Sequence, residues 1–350
     1  MVGHTGIVAR RFSSSTAMAL AATLVAALSA CGSSSDAPNA TRVPDAQTTP
    51  TPPPVDPASV KANELGVVPV LMYHRLTPTP KAEYDRTPDD FRAELIRLYD
   101  SGYRPVLARE LVTGTIDVPA GKSPVVLTFD DSTVSQYRLA PDGSVVPDTA
   151  VGILLEFSRT HPDFRPVATL YVNGNPFEAR AGTAELKDLV GRGFELGAHT
   201  LTHQNLARAD AENVQKELVE GLRVITKAVP DLKVTTMALP FGAPPVEREL
   251  AHNGTWDGQG YTFDGVFLVG AEPSSSPFSV AFDPLRIPRI RSAAPDAGGK
   301  ANFGSAFWLD SLDKHPERRY VSDGDVGHVS FPMAEQAKLG AGAAGAARAY

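Results

Sequence analysis

Between Val67 and Gly242 short apolar, β-branched runs alternate with amphipathic helical stretches, and this alternation limits the possible folds more than any other feature of the chain. The runs "VVPVLMYH" (67–74), "SPVVLTFDD" (123–131), "VATLYVNG" (167–174), "FELGAHT" (194–200) and "VTTMALPFG" (234–242) read as strands. Helices lie between them. In "TPDDFRAELIRLYDSG" (87–102) Thr87 caps the start, Pro88 suits the first turn, Asp89 and Asp90 favour the dipole and Gly102 stops the helix. Phe91, Leu95 and Leu98 share one face of it. "ARELVTG", "TAVGILLEFSRTHP" and "TAELKDLVGRG" read as further helices, and "DAENVQKELVEGLRVITKAV" as a long one with Val214, Leu218, Leu222 and Ile225 on one face. Strands alternating with helices predict an α/β domain with a largely parallel sheet or barrel. The rest is less regular: strand and loop over 255–270, a short basic strand "PLRIPRIR" (284–291), a final helix within 304–317, and a tail, "LGAGAAGAARAY", expected to fray.

The chain has 350 residues, 42% of them apolar, ample for a packed core. Net charge is −7 with a pI near 5.6 and no dominant basic patch, which argues against nucleic acid as a partner. Cys31 is the only cysteine, so neither an intrachain disulfide nor a cysteine-based zinc site can form. Arg10 and Arg11 precede a small apolar stretch, Ala17–Leu28, that has the length of a signal h-region and is short for a membrane span. "LSAC" (28–31) then resembles the lipobox of bacterial lipoproteins. The resemblance implies cleavage before Cys31, its lipidation, and a protein anchored by lipid to the bacterial cell membrane outside the cytoplasm. The expected organisation is a signal peptide over 1–30, a Pro/Ser/Thr-rich tether over 31–62 whose prolines make it a semi-rigid spacer, a catalytic domain over 63–335 and a low-complexity tail over 336–350.

Sites in parallel α/β domains lie at the carboxyl ends of strands, and three polar clusters fall there: Asp130 with Asp131, His199 with His203, and "LPFG" (239–242). Two histidines four apart share one face of a helical turn and can reach a single metal ion. Taken singly, each cluster also suits a polar turn. Together, two histidines and one carboxylate make a facial metal set with open positions, which leaves the second aspartate to act on a bound water.

"LTFDDS", "HTLTHQNL" and "ALPFG" resemble the first three motifs of polysaccharide deacetylases of the NodB-homology type, carbohydrate esterase family four. "VPVLMYHRL" resembles the opening strand of the branch with poly-N-acetylglucosamine deacetylases. The likeness spans roughly 67–291. It implies a distorted (β/α) barrel with mostly parallel strands and fewer than eight of them. It implies Asp130 as catalytic base, Asp131, His199 and His203 as ligands of a divalent metal (zinc foremost), and the Phe241 backbone N–H as oxyanion donor. The implied substrate is an acetylated polysaccharide, N-acetylglucosamine-containing foremost. A glycan-binding lipoprotein without catalysis and an O-acetyl, xylan-type esterase are the alternatives.

The chain departs from the motifs in three places. Ser132 stands where glycine is usual, followed by an insertion, "RLAPDGSVVPDT", expected near the mouth of the site. Ala238 stands where an arginine often orients the catalytic aspartate, leaving Arg286, Arg289 and Arg291 as substitutes. No histidine matches the usual proton donor, so His74, His315 and His328 are the candidates for it, with Arg289 also a candidate for a substrate role. Trp256, Tyr261 and Trp308 are candidate sugar platforms.

Overall fold

The computed structural model describes residues 55–178, 182–293 and 303–350. The signal segment, Cys31 and the tether as far as residue 54 lie outside the described residues. Among those described, no helix is long and apolar enough to cross a membrane.

In chain order the elements are β1 (Val70–Tyr73), α1 (Pro88–Asp100), β2 (Tyr103–Val106), α2 (Ala108–Thr113), β3 (Ser123–Phe129), α3 (Ala150–Thr160), β4 (Thr169–Val172), α4 (Thr183–Gly191), β5 (Glu195–Ala198), α5 (Ala211–Ala228), β6 (Thr236–Ala238), β7 (Asn253–Trp256), β8 (Gln259–Thr262), β9 (Gly265–Phe267), β10 (Ile290–Arg291), α6 (Ser305–Lys314), β11 (Val329–Phe331) and β12 (Ala347–Ala349). The local signals act as expected. Thr87 Oγ1 accepts the Asp90 N–H at 3.0 Å and the Asp90 carboxylate accepts the Thr87 N–H at 3.2 Å, a reciprocal cap that starts α1. Asp210 caps α5, whose Val214, Leu218, Leu222 and Ile225 are buried.

The main sheet runs β10–β1–β3–β4–β5–β6–β9 with β2 also paired to β3, and every pairing in it is parallel. This bears out the distorted (β/α) barrel with mostly parallel strands, but the sheet has eight strands where fewer were expected, because β2 pairs beside β3 and the short β10 adds to the β1 edge. Its two edges are joined by one segment: Ile287 bridges Phe267 of β9, and Ile290, three residues on, pairs with Leu71 of β1. Arg289 lies between these attachments and is driven inward. The core fills with aromatics and aliphatics from strands and helices. Tyr73 stacks on Phe129 at 5.0 Å between ring centres and meets the edge of Phe91 at 5.1 Å.

The tail does not fray. β12 pairs parallel with β11, the Tyr350 N–H donates to the Phe331 carbonyl at 3.1 Å, and the Tyr350 hydroxyl donates to the Ala62 carbonyl at 2.9 Å. Its alanines pack with Leu65, Val329 and Phe331 in a small apolar cluster. Alanine and glycine leave the backbone free to pair, and it pairs here. The ordered domain also begins before residue 63: Ala62 is buried and its N–H donates to the Pro57 carbonyl at 2.9 Å.

Candidate active site

β1, β3 and β5 are followed by polar residues, His74, Asp130 with Asp131, and His199, and β6 by the apolar turn Leu239–Gly242. Asp130 follows β3 and is 1% exposed, facing Arg289 at 0%. Arg289 grips both carboxylate oxygens, Nη1 to Oδ1 at 2.6 Å and Nη2 to Oδ2 at 2.7 Å. The guanidinium is fixed in turn by the Leu268 carbonyl at 2.8 Å and Thr128 Oγ1 at 3.2 Å. Burial pushes the Asp130 carboxyl up, but Arg289, helped by His199 and His74, outweighs it and holds the group well below the usual carboxylate range. Of the three arginines of "RIPRIR", Arg289 is therefore the one that pairs with Asp130 and fixes its carboxylate. Arg286 is exposed, and Arg291 turns outward to Glu83 and the Tyr84 ring.

Asp131, His199 and His203 converge, with one donor atom from each lying within 4.8 Å of the others. Asp131 Oδ1 stands 3.4 Å from His199 Nε2 and 3.3 Å from His203 Nε2. Donors at about 2.0–2.1 Å from one tetrahedral ion stand roughly 3.3 Å apart, so the spacing fits a metal such as zinc. The Asp131 Oδ1 and His199 Nε2 atoms are buried without a hydrogen-bond partner, as ligand atoms awaiting an ion would be. His199 Nδ1 meets the Ala238 carbonyl at 2.8 Å, which assigns the proton to Nδ1 and the free lone pair to Nε2. The position that lacks the motif arginine thus orients a ligand through its backbone.

The histidines reach this arrangement by a different route from the helical turn expected of their spacing. Thr200 and His203 have φ values of 63° and 59°, so "HTLTH" is an irregular turn. Glu217 of α5 shapes it: its carboxylate accepts the Leu201 and Thr202 N–H groups at 3.1 and 2.8 Å and the Thr202 hydroxyl at 2.9 Å. Gln136 is a second support that motif reading does not find. Its side-chain amide donates to the His74 carbonyl at 2.8 Å and to the Asp130 carbonyl, tying the ends of β1 and β3 together. The only sequence signal for Glu217 is an acid within the buried stripe of α5. Gln136 has none, because backbone carbonyls accept from many residue types.

His74 follows β1 and lies beside Asp130, Nε2 to Oδ2 at 3.8 Å, with its ring against Tyr84. Burial lowers its pKa against the pull of Asp130 and Asp131. Phe241, with φ 59°, is 62% exposed, and its ring lies 4.7 Å from the His203 ring.

The other late histidines do not join the site. His328 pairs with Asp325 at 2.7 Å in the exposed loop before β11, and His315 pairs with Glu317 at the end of α6. Both belong to segments that pack away from the strand ends. The three expected platforms serve structure: Trp256 lies under Arg223, the Tyr261 hydroxyl donates to the Leu250 carbonyl at 2.7 Å, and Trp308 Nε1 donates to the Ala271 carbonyl at 2.6 Å. The insertion at 138–149 also departs from expectation. Leu139 and Val145 bridge each other and pack on the core, and Val145 and Pro147 line a surface hollow with Arg159 of α3 and Arg192 after α4. Its apolar residues draw it along the outside of the barrel.

Residues 117–253 match the family model described as polysaccharide deacetylase. Chitooligosaccharide deacetylases of Sinorhizobium fredii and of a Bradyrhizobium species are 28% and 31% identical over 122 and 124 residues, in each case 35% of this chain and 48% of the relative. The chain therefore spans about half the length of the curated relatives it matches. Among solved structures, the Streptococcus pyogenes deacetylase PplD in complex with acetate superposes with a TM-score of 0.51 at 21% identity, covering 71% of this chain and 97% of that one, a likeness of fold.

Proposed function

We propose that this chain, which carries a polysaccharide deacetylase domain over residues 117–253, is a metal-dependent hydrolase that removes acetyl groups, N-acetyl foremost, from a cell-surface or extracellular polysaccharide. The observation that carries this reading is the adjacency of two differently held carboxylates: Asp130 locked ionised on Arg289, and Asp131 grouped with two imidazoles. Asp131, His199 and His203 would hold the divalent ion, zinc foremost, which when bound supplies Lewis-acid polarisation and lowers the pKa of water.

The chain's own groups account for the proton traffic. Asp130 takes a proton from the attacking water as its oxygen bonds to the acetyl carbonyl carbon. Arg289 keeps that carboxylate anionic and in one plane. The Phe241 N–H donates to the developing oxyanion. His74, whose Nε2 lies 3.8 Å from Asp130 Oδ2, gives a proton to the leaving nitrogen as the C–N bond breaks and is replenished by the proton that Asp130 took from the water. The products are acetate and a free amine. The names of the rhizobial relatives support a substrate built of N-acetylglucosamine units.

Acetate release from N-acetylated chitooligosaccharides with zinc present tests this directly. Asp130→Asn is expected to cut it at least about 100-fold, and unchanged release overturns the assignment. Faster release from O-acetyl xylan than from N-acetyl substrates would move the reading to an esterase. The lipobox resemblance supports a site of action outside the cytoplasm, with Cys31 as the anchor. Cys31→Ala is expected to move the protein from the membrane to the soluble fraction, and continued membrane binding after signal cleavage counts against the anchor.

A further inference from the structure

Asp131 sits on a strained turn. Its φ is 74° and that of Ser132 is 46°, so two consecutive residues with side chains occupy the left-handed region that favours glycine. Such a conformation persists only where its surroundings hold it. Three successive carbonyls here each have a donor from elsewhere: the Gln136 amide on that of Asp130, Asn173 Nδ2 on that of Asp131 at 3.1 Å, and the Phe177 N–H on that of Ser132 at 2.6 Å. Asn173 is engaged three times more, once by the Asn175 N–H, which donates to its Oδ1 at 3.3 Å, and twice by Ser132. The same Oδ1 accepts the Ser132 hydroxyl at 3.1 Å, and the Asn173 N–H points to Ser132 Oγ at 3.4 Å. It is the first residue after β4, so it ties this turn to the sheet.

We propose that Asn173 is a positioning residue for the metal set. Through the Asp131 carbonyl and the Ser132 hydroxyl it sets the turn that aims the Asp131 carboxylate at His199 and His203. The glycine usual at position 132 takes a positive φ without steric penalty and needs no such partner. Serine at this position does need one, and the Ser132–Asn173 pair supplies it. The inference rests on Asp131, His199 and His203 being the metal ligands.

Zinc affinity, measured by competition with a chromophoric chelator on the folded chain, reads this without reference to catalysis. Asn173→Ala is expected to weaken binding about 10- to 100-fold, the usual effect of removing a group that orients a ligand. Two variants at position 132 separate positioning from simple loss of a hydroxyl. Ser132→Ala keeps a Cβ at positive φ without its hydrogen bond and is expected to weaken zinc about tenfold. Ser132→Gly relieves the turn and is expected to stay within about threefold of native. Equal affinities for the alanine and glycine variants, or a weaker glycine variant, overturn the proposal, and this comparison stands even if Asn173→Ala does not fold. A native chain that binds zinc beside an equally tight, folded Asn173→Ala overturns the positioning role alone. A native chain that takes up no zinc overturns the ligand set and the positioning role with it.

Discussion

The two ends of the barrel bury carboxylates in opposite ways. At the carboxyl end Asp130 meets a guanidinium across two hydrogen bonds and stays ionised. Glu64, on the chain leading into the amino end of β1, meets only neutral donors and another acid: the Ser322 hydroxyl at 3.1 Å, the Ser330 N–H at 2.8 Å, the Asp323 N–H at 3.4 Å, the Tyr320 hydroxyl and the Asp323 carboxylate. Burial, reinforced by Asp323 and only partly offset by these donors, raises its pKa from 4.5 to about 7. A buried acid partnered by a cation is a poised anion. One partnered by hydroxyls and amides is a hydrogen-bonding joint, and Glu64 joins the segment before β1 to the segment carrying β11. Charge is kept where chemistry needs it and suppressed where only cohesion does.

Breaking the cation side of this contrast has the largest expected effect. Arg289→Met leaves Asp130 buried without a counter-charge and is expected to cost about 3–5 kcal/mol in denaturant unfolding. Adding Asp130→Asn removes the stranded charge and is expected to recover much of that stability while acetate release stays lost. If the double variant is no more stable than Arg289→Met alone, the guanidinium is not the partner that keeps Asp130 tolerable in the interior.

The neutral side has a smaller effect, and its sign follows from the raised pKa. The folded chain holds the Glu64 proton more tightly than the unfolded chain does. Its contribution is therefore fully present below about pH 4.5 and is lost as pH rises through about 7. Over that window the shift corresponds to roughly 3 kcal/mol. Glu64→Gln, a neutral mimic of the protonated acid, is expected to flatten this part of the stability profile. A profile of unchanged slope in the variant would show that Glu64 is ionised in the fold after all.

The same contrast explains what could be read in the sequence. Asp130, Asp131, His199 and His203 were legible because polar residues stand where apolar runs stop, and strand ends converge in a parallel barrel. Arg289 was legible only as one of three. Its spacing does not distinguish it from Arg286 or Arg291; what does is the segment that crosses from β9 to β1 and turns one residue inward. Gln136, Asn173 and Glu217 were not legible, since each acts on backbone carbonyls or amides, and no residue-type pattern records which peptide groups lack a partner. The Glu64 joint and the ordered tail escaped for a related reason. Both involve contacts between residues more than 200 positions apart, Ser322 and Ser330 to Glu64 and Tyr350 to Ala62, made by a serine-, alanine- and glycine-rich stretch whose composition alone suggests no structure.

The smallest expected effect sharpens the comparison most cheaply, because it sets one histidine from each end against the other. His74 lies 3.8 Å from the ionised aspartate and is largely buried, whereas His328 pairs with Asp325 in an exposed loop beside the Glu64 joint. An exposed ion pair of this kind contributes about 0–1 kcal/mol. His328→Ala is therefore expected to change acetate release by less than about twofold and stability by less than about 1 kcal/mol, while His74→Ala lowers release about 100-fold or more, in the range of a lost proton donor. The ratio of the two rates is the decisive quantity. If His328→Ala proves the more damaging, the proton donor comes from the late segment, and the carboxyl-end assignment of His74 fails while the Asp130–Arg289 pair stands.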